Sequence, residues 1–318
     1  MIPAARMERR TGTARSIGVG ALLLFLSQGC AVPDRPARSL EPLPQDALSF
    51  LEPDSVRGVE IGDGATYHYA WAAEGPWAIH IVALDFGRCD LEAVVSPAAG
   101  EEGGRARQRV SALPPESEGV PVVGVNGDFF TDQGLPLGAE FVDDSQRGSA
   151  RPAFAWGPAA GPWIGLPEET AVGFHFGAYA WPDAGAEEVP NFDVIGGFPL
   201  LLADGEVVGD LEVGDRPAFA AARHPRTGVG LDDDTGRLWL VVVDGRQPPY
   251  SDGMTLPEFT QLFHALGVEE ALNLDGGGST TMWVRGQVVN RPSDPTGERP
   301  VANSLWVTDL PGGCVAGR

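Results

Sequence analysis

The chain has 318 residues, of which 43% are hydrophobic and 21% charged, so it suits one large globular domain or two ordinary ones rather than a disordered chain. Its formal net charge is −22, and all 22 basic residues are arginines. A surface this acidic repels nucleic acids and anionic membranes, which excludes both as expected partners. An anionic substrate would have to be held by locally placed arginines and backbone amides.

The first thirty residues have the pattern of an export signal. Several arginines precede an apolar segment, 17–26, that is too short to span a bilayer as a stable helix. Gly29-Cys30 follows, and a small residue before a cysteine is typical of a bacterial lipoprotein cleavage site. Residues 1–30 are therefore predicted as a lipoprotein-type signal peptide with lipidation at Cys30. Because Ser27 stands where an apolar residue is usual, plain secretion is the alternative.

This pattern predicts an exported protein, periplasmic or at the cell surface, that meets the membrane only through an N-terminal lipid anchor. If Cys30 is lipidated, Cys89 and Cys314 remain. In an oxidising compartment these two cysteines either form a disulfide, which is favoured, or stay as free thiols. The sequence has no cysteine and histidine cluster of the kind that binds zinc.

The remaining chain divides into three predicted regions. Residues 31–57 are rich in proline and polar residues and are predicted as a tether. Residues 58–310 are predicted as a single domain, and 311–318 as a loose tail. Strand-like alternation begins the domain, at 67–71, 77–84 and 91–95. Residues 97–118 show no clear period and are predicted as a loop with a short helix.

Polar turns follow several apolar strands in the rest of the domain. The buried strand 120–125 ends in Asn126-Gly127-Asp128, and a strand ending at 243 is followed by Asp244. Arg226 and Thr227 stand near the start of a further strand. Functional side chains often occupy such positions, although simple turns give the same pattern. Residues 194–202 are predicted as one strand that contains a glycine pair.

One helix is predicted clearly, over 256–266. Thr255 and Glu258 form a capping box, and Gly267 suits the C-terminal cap. The many strands and few helices together predict a β-rich, mixed α/β fold with central mixed sheets and few flanking helices.

The most informative segment is a glycine-rich turn. Glycine permits positive φ and lets backbone amides approach a ligand, and successive amides form an anion-binding concavity. A glycine-rich hairpin is the alternative, since Asp-Gly is itself a turn signal. The segment contains Asp275, Gly276, Gly277, Gly278, Ser279 and Thr280.

The ordered motifs of the chain resemble the phosphodiester glycosidase family over residues 120–308, and the last hundred residues of this range are the most specific part. The motifs lie at 126–130, 195–199, 224–227, 244–246, 273–279, 290–292 and 298–299. The family includes enzymes that remove N-acetylglucosamine from sugar-1-phosphodiesters. The resemblance therefore implies an exported glycosidase that hydrolyses the sugar–phosphate bond of such diesters in envelope or extracellular glycans, with no cofactor required.

The chemistry of that reaction assigns roles to the motif residues. A carboxylate is needed near the anomeric carbon, and cationic or amide groups are needed around the phosphate. Asp275 is the first choice for the carboxylate, Asp128 the second and Asp244 the third. The predicted substrate and phosphate contacts are Asn126, Arg226, Thr227, Gly276, Gly277, Gly278, Ser279, Thr280 and Arg299.

Structural roles stay open for several of these residues. Asp244 also fits a tight turn after a core strand, and Arg226 fits a salt bridge to one of the aspartates. Glu298 and Arg299 also fit a mutual ion pair.

Two other classes of function fit the same sequence. One is a carbohydrate- or phosphate-binding lipoprotein without turnover. The other is a metal-dependent phosphodiesterase, although the motifs lack the dense histidine and aspartate clusters usual for two-metal sites. A structural or catalytic divalent cation such as calcium is compatible with each reading, and the sequence assigns it no ligands.

Overall fold

The computed structural model describes residues 40–99, 106–142, 145–147, 149–170, 173–181, 192–208, 211 and 217–314. The predicted signal peptide and Cys30 lie outside these residues. Within these ranges there is no helix of the length and apolar character needed to cross a membrane.

The helices are α1 Gln45–Leu51, α2 Pro217–Ala221 and α3 Leu256–Ala265. The strands of the first half are β1 Ser55–Gly62, β2 Ala65–Ala72, β3 Trp77–Asp85, β4 Cys89–Pro97, β5 Val120–Asn126, β6 Glu140–Val142, β7 Ser145–Arg147, β8 Ala153–Gly157 and β9 Gly161–Gly165. Those of the second half are β10 Glu168–Thr170, β11 Gly173–Phe176, β12 Tyr179–Trp181, β13 Asp193–Gly196, β14 Leu200–Ala203, β15 Glu206–Val207, β16 Arg226–Asp232, β17 Arg237–Val243, β18 Glu270–Asn273, β19 Met282–Val284, β20 Gln287–Val288 and β21 Asn303–Cys314.

The strands form two large and two small sheets. The largest, here called the main sheet, has the order β1-β2-β3-β17-β16-β18-β14-β15, and the second has the order β20-β19-β5-β21-β4. The smaller sheets are β7-β6-β13-β8-β9 and β10-β11-β12. The β-rich fold with few helices is confirmed. Every pairing between these strands is antiparallel, so they contain none of the parallel pairs of a mixed sheet.

The main sheet is buried on both faces. Successive side chains of a strand point to opposite faces, so Leu240 of β17 enters one core and Val241 enters another. The first core lies against the second sheet and includes Leu305 of β21. The second core lies under the helices and includes Phe263 of α3 and Leu51 of α1. This sandwich of helices, main sheet and second sheet holds the strand ends in fixed positions.

Helix α3 begins and ends where the sequence predicts. The Thr255 hydroxyl accepts from the Glu258 amide at 3.2 Å, and the Glu258 carboxylate accepts from the Thr255 amide at 2.9 Å. Gly267 ends the helix with a φ of 80°. The sheet beneath has a glycine at Gly230, where an added methyl group would come within 2.7 Å of the Phe263 ring. Glycine at this position therefore permits the close packing of α3.

Two predicted boundaries are wrong. The tether predicted over 31–57 is folded from residue 40 onward, because Leu43, Ala47 and Leu51 are buried in the core under the helices. The tail predicted from residue 311 is part of β21, which continues to Cys314. Cys314 forms a disulfide with Cys89, with an S–S distance of 2.03 Å.

The single strand predicted over 194–202 is also wrong, because the segment forms β13 and β14 in two different sheets. The chain changes sheet at Gly197, where an added Cβ would lie 2.6 Å from the carbonyl oxygen of Asn273. The Asn273 side chain in turn donates to the carbonyl of Phe198 at 2.8 Å. This close approach brings the end of β13 against the end of β18.

Candidate active site

Asn126, at the end of β5, connects three of the predicted motifs. Its Nδ2 donates to the carbonyl of Asp275 at 2.6 Å. Its Oδ1 accepts from the Thr227 hydroxyl at 2.8 Å and from the Thr281 amide at 3.0 Å. Asn126 and Thr227 are buried and were predicted to contact substrate. In the structure their hydrogen bonds instead connect β5, β16 and the glycine-rich turn, so these two residues hold the elements of the site together.

The glycine-rich turn lies directly against two guanidinium groups. An added Cβ at Gly277 would lie 3.0 Å from both terminal nitrogens of Arg246, and one at Gly278 would collide with Arg299. Gly277 also has a φ of 62°, which favours glycine. The turn therefore needs glycine both for its backbone conformation and to admit the two arginines.

Arg246 and Arg299 reach the turn from different segments. Arg246 is exposed, has a φ of 59°, and places Nη2 3.2 Å from Nδ1 of His224. A positive φ is uncommon for a residue other than glycine and often marks a functional site. Arg299 has a side chain 41% exposed, and its Nε donates to Asp294 at 3.0 Å. Two accessible guanidinium groups can hold an anion with several oxygens. The predicted amide contacts of Gly276 and Gly277 are not free, because these amides donate to Asp275 Oδ1 at 2.8 Å and to the carbonyl of Pro225 at 2.9 Å.

The predicted ion pair between Glu298 and Arg299 is wrong. Glu298 accepts from the amide and the hydroxyl of Ser111, at 2.9 and 2.5 Å. Arg299 pairs with Asp294 instead, which leaves its guanidinium against the glycine-rich turn.

Asp275 is partly buried at the start of the turn, and its Oδ1 accepts from the Gly276 amide at 2.8 Å. Burial raises the pKa of Asp275 to about 6, opposed by the Gly276 amide and the positive charges of Arg299 and Arg246. Both guanidinium groups therefore act electrostatically on this carboxyl group, although among the described residues Asp275 forms no ion pair with either.

Asp128 is 1% exposed and belongs to the same site. Its carboxylate oxygens accept from the amides of Phe129 and Gly138, at 2.7 and 2.5 Å. Burial raises the pKa of Asp128 to about 7 against these two hydrogen bonds, and the charge of Asp275 raises it further. The two carboxyl groups thus interact electrostatically.

Asp244 has a different environment. Its carboxylate is fully buried and accepts from the Tyr250 hydroxyl at 2.9 Å, from Asn290 Nδ2 at 3.0 Å and from the Arg291 amide at 3.0 Å. His80 Nε2 lies 3.3 Å from the same group. With its acceptor positions occupied by protein donors, Asp244 holds loops together, and the geometry gives no support to its predicted catalytic role.

Arg226 was predicted to hold phosphate, or otherwise to pair with an aspartate. It is 1% exposed, and its guanidinium donates to the carbonyls of Met254 at 2.9 Å and Phe219 at 2.8 Å. It makes no ion pair with any residue that the structure describes. Burial lowers the pKa of Arg226 to about 10, and the nearby Arg246 lowers it further. Arg246, which has the more accessible guanidinium, is the residue that sequence reasoning missed.

A group of unpaired hydroxyls follows the glycines. Within the described part of the chain, the buried side-chain atoms without a hydrogen-bond partner are Asn273 Oδ1, Ser279 Oγ, Thr280 Oγ1 and Thr281 Oγ1. Unpaired buried polar atoms are costly and are therefore rare. Three of them in succession beside Asp275 are typical of a site at which water or a ligand supplies the missing hydrogen bonds.

Comparison with known proteins shows the family of the chain. Residues 120–308, more than half of the chain, match the family model described as phosphodiester glycosidase. The chain belongs to this family. The matched range contains Asp128, Arg246, Asp275 and Arg299, and it leaves out the strands β1 to β4.

Two related sequences and one solved structure illustrate the relationship. The chain is 38% identical over 86 residues to the SPbeta prophage-derived uncharacterized protein YomE of Bacillus subtilis. It is 36% identical over 83 residues to N-acetylglucosamine-1-phosphodiester alpha-N-acetylglucosaminidase of Mus musculus. These matches span 27% and 26% of this chain but only 13% and 16% of the two relatives.

The structure of the zebrafish N-acetylglucosamine-1-phosphodiester alpha-N-acetylglucosaminidase catalytic domain superposes with a TM-score of 0.56 and 22% sequence identity, covering 83% of this chain and 85% of that one. The superposition shows that the two share a fold.

Proposed function

We propose that this phosphodiester glycosidase hydrolyses the bond between the anomeric carbon and the phosphate oxygen of sugar-1-phosphodiesters, such as diesters of N-acetylglucosamine 1-phosphate. The observation that carries the proposal is the placement of Arg246 and Arg299 against Gly277 and Gly278, with Asp275 alongside. The leaving group is a phosphate monoester, which is already a weak base. It needs stabilisation of negative charge more than protonation.

The reaction can be written with these groups. The C1–O bond breaks and its electron pair goes to the phosphate oxygen, whose charge the two guanidinium groups stabilise. The Asp275 carboxylate faces the positive charge that develops at C1, as nucleophile or as base for water. Water supplies the hydroxyl of the product sugar, and its proton leaves through a carboxylate. Asp128, behind Asp275, is the second acidic group of the pair.

The pH dependence of turnover tests the two carboxyl groups. Asp275 acts when ionised, so kcat/KM should rise as pH increases through about 6. Ionisation of Asp128, with a pKa of about 7, places a second negative charge beside an anionic substrate, so kcat/KM should fall above that pH. Because the groups interact, the two limbs of the curve belong to the pair. In Asp128→Asn the fall of kcat/KM at higher pH should disappear. If kcat/KM instead rises near the ordinary pKa of an aspartate, the assignment of Asp275 is contradicted.

The phosphate site is tested by Arg246→Ala and Arg299→Ala. Each should lower kcat/KM for a diester of N-acetylglucosamine 1-phosphate by about 10²-fold, the usual effect of removing one group that stabilises transition-state charge. Lysine at either position should restore part of the loss, since it keeps the charge and loses the fork of donors. Arg237→Ala, at the far end of β17, is the matched control. Loss of less than about threefold in both variants would contradict the proposed phosphate site.

Measurement of bond cleavage separates the alternative functions. Hydrolysis in water labelled with oxygen-18 should place the label in the sugar, because the C–O bond is the one that breaks. Label in the phosphate would favour the metal-dependent phosphodiesterase, for which the described residues contain no group of three or more histidine, cysteine, aspartate or glutamate side chains able to hold a metal. Tight binding of the diester with no hydrolysis would favour the non-catalytic lipoprotein.

Export also belongs to the proposal. The Cys89–Cys314 disulfide supports an oxidising compartment such as the periplasm or cell surface. Lipidation at Cys30, with glycans of the envelope as the source of substrate, completes the proposed setting.

A further inference from the structure

A cavity outside the candidate active site lies beside β1 and β2, with a volume of about 510 Å³. It is open to solvent and is lined mainly by aromatic side chains. Among its lining residues are Arg57, Tyr67, Tyr69, His80 and Tyr250. The first four of these precede residue 120, so they lie outside the range that matches the family model.

Strand pairing relates this cavity to the candidate active site. Arg57 pairs with Tyr69, and Tyr69 pairs with His80, so the three side chains form a row on one face of the main sheet. The row continues through Val242 to Thr227. With about 4.8 Å between neighbouring strands, Tyr69 lies about 14 Å from Thr227.

One loop connects the proposed phosphate site with the cavity. Asp244 accepts a hydrogen bond from Tyr250 in the cavity wall. Arg246 follows Asp244 by two residues and reaches Gly277 of the glycine-rich turn. The loop from Asp244 to Tyr250 therefore carries both a residue of the cavity wall and a guanidinium group of the proposed phosphate site.

The cavity has neutral hydroxyls and one free cation. The Tyr67 hydroxyl lies 2.8 Å from Nδ1 of His80, and the Tyr250 hydroxyl donates to Asp244. Burial, together with nearby negative charge, raises the pKa of Tyr67 and of Tyr250, so both hydroxyls stay protonated. Arg57 is exposed and makes no ion pair with any described residue. None of the lining residues is acidic, in a chain of net charge −22.

We propose that this cavity is a saccharide subsite that binds the sugar ring on the leaving side of the phosphodiester. The inference rests on the proposed function. A sugar ring has an apolar face that packs on aromatic rings and hydroxyls that bond to polar groups at their edges. Tyr69 provides the ring, and Arg57 provides donors for the sugar oxygens.

Two substrates test the subsite. One is the methyl diester of N-acetylglucosamine 1-phosphate, and the other carries glucose in place of methyl. The unaltered protein should prefer the glucose diester by about tenfold in kcat/KM, and Tyr69→Ala or Arg57→Ala should bring that ratio close to one. Tyr69→Phe keeps the ring and should keep most of the preference. Arg88→Ala removes an exposed arginine at the far end of β3 and should keep all of it.

Binding measurements separate failure of the subsite from failure of the proposed function. In Asp275→Asn, isothermal titration should show the glucose diester binding about tenfold more tightly than the methyl diester, and adding Tyr69→Ala should remove the difference. Equal affinity for the two diesters would overturn the subsite whether or not either is hydrolysed. If the binding preference depends on Tyr69 but the unaltered protein hydrolyses neither diester, the subsite is supported and the proposed glycosidase activity is overturned.

Discussion

Asp275→Asn should lower kcat for a diester of N-acetylglucosamine 1-phosphate by about 10³-fold or more, without unfolding the protein. Asparagine has nearly the same shape and can still accept from the Gly276 amide, as Asp275 does at 2.8 Å. It has no negative charge to place against the positive charge at C1, and it cannot act as nucleophile or base. The measurements are steady-state kinetics and the thermal midpoint of unfolding.

The matched control for this variant is Asp233→Asn. Asp233 is exposed at the turn between β16 and β17, about 20 Å along the strand from the end at which Arg226 lies. Its replacement changes the net charge by the same amount and should leave kcat unchanged. If Asp275→Asn retains more than about a tenth of the activity, Asp275 is neither nucleophile nor base, and Asp128 becomes the next carboxyl group to test.

Local signals in the sequence predicted the parts of the fold that depend on local contacts. The capping box at Thr255 and Glu258 and the glycine at Gly267 fix the ends of α3 through hydrogen bonds within a few residues. The apolar segment 77–84 was correctly predicted as a strand, β3. The strand is buried on both faces, so nearly all of its side chains are apolar. The position of the glycine-rich turn was likewise visible, since only glycine combines positive φ with close approach.

Other features depend on contacts between distant parts of the chain. The φ of Arg246 and its position over Gly277 belong to a loop in which the Arg246 amide donates to the carbonyl of Asp252, and the motif at 244–246 does not reveal them by itself. The proline-rich segment before β1 resembled a tether because its buried residues are few. Leu43 and Leu51 find their partners in α3, more than two hundred residues later.

The sequence could not show which polar residues are structural and which contact substrate, because that difference also depends on contacts between distant parts of the chain. Asn126, Asp128 and Asp244 each follow an apolar strand, and each is buried. Asn126 and Asp244 have their acceptors filled by donors from other segments, whereas Asp275 stays partly exposed beside two guanidinium groups. A structural residue differs from a residue that contacts substrate in the number of protein hydrogen-bond donors around its side chain. That number is known only from the fold.

Asp244→Asn should destabilise the protein by about 3 kcal/mol, because it disrupts a buried and fully bonded carboxylate. The group accepts from Tyr250, Asn290 and the Arg291 amide, and it lies 3.3 Å from His80. Asparagine offers one acceptor oxygen and turns a donor NH₂ toward the remaining donors. At least one buried partner then loses its hydrogen bond. Urea unfolding, followed by tryptophan fluorescence, measures the change in the free energy of unfolding.

The stability and the kcat of Asp244→Asn together show whether Asp244 is a structural or a catalytic residue. Asp232→Asn is the control, since Asp232 also ends a strand and accepts from Thr235, at 3.2 Å, but on the surface. It should change stability by less than about 0.5 kcal/mol. Under conditions in which Asp244→Asn is fully folded, its kcat should remain within about tenfold of the unaltered protein, because its carboxylate faces donors of the protein. A variant as stable as the parent but without turnover would instead place Asp244 in the reaction.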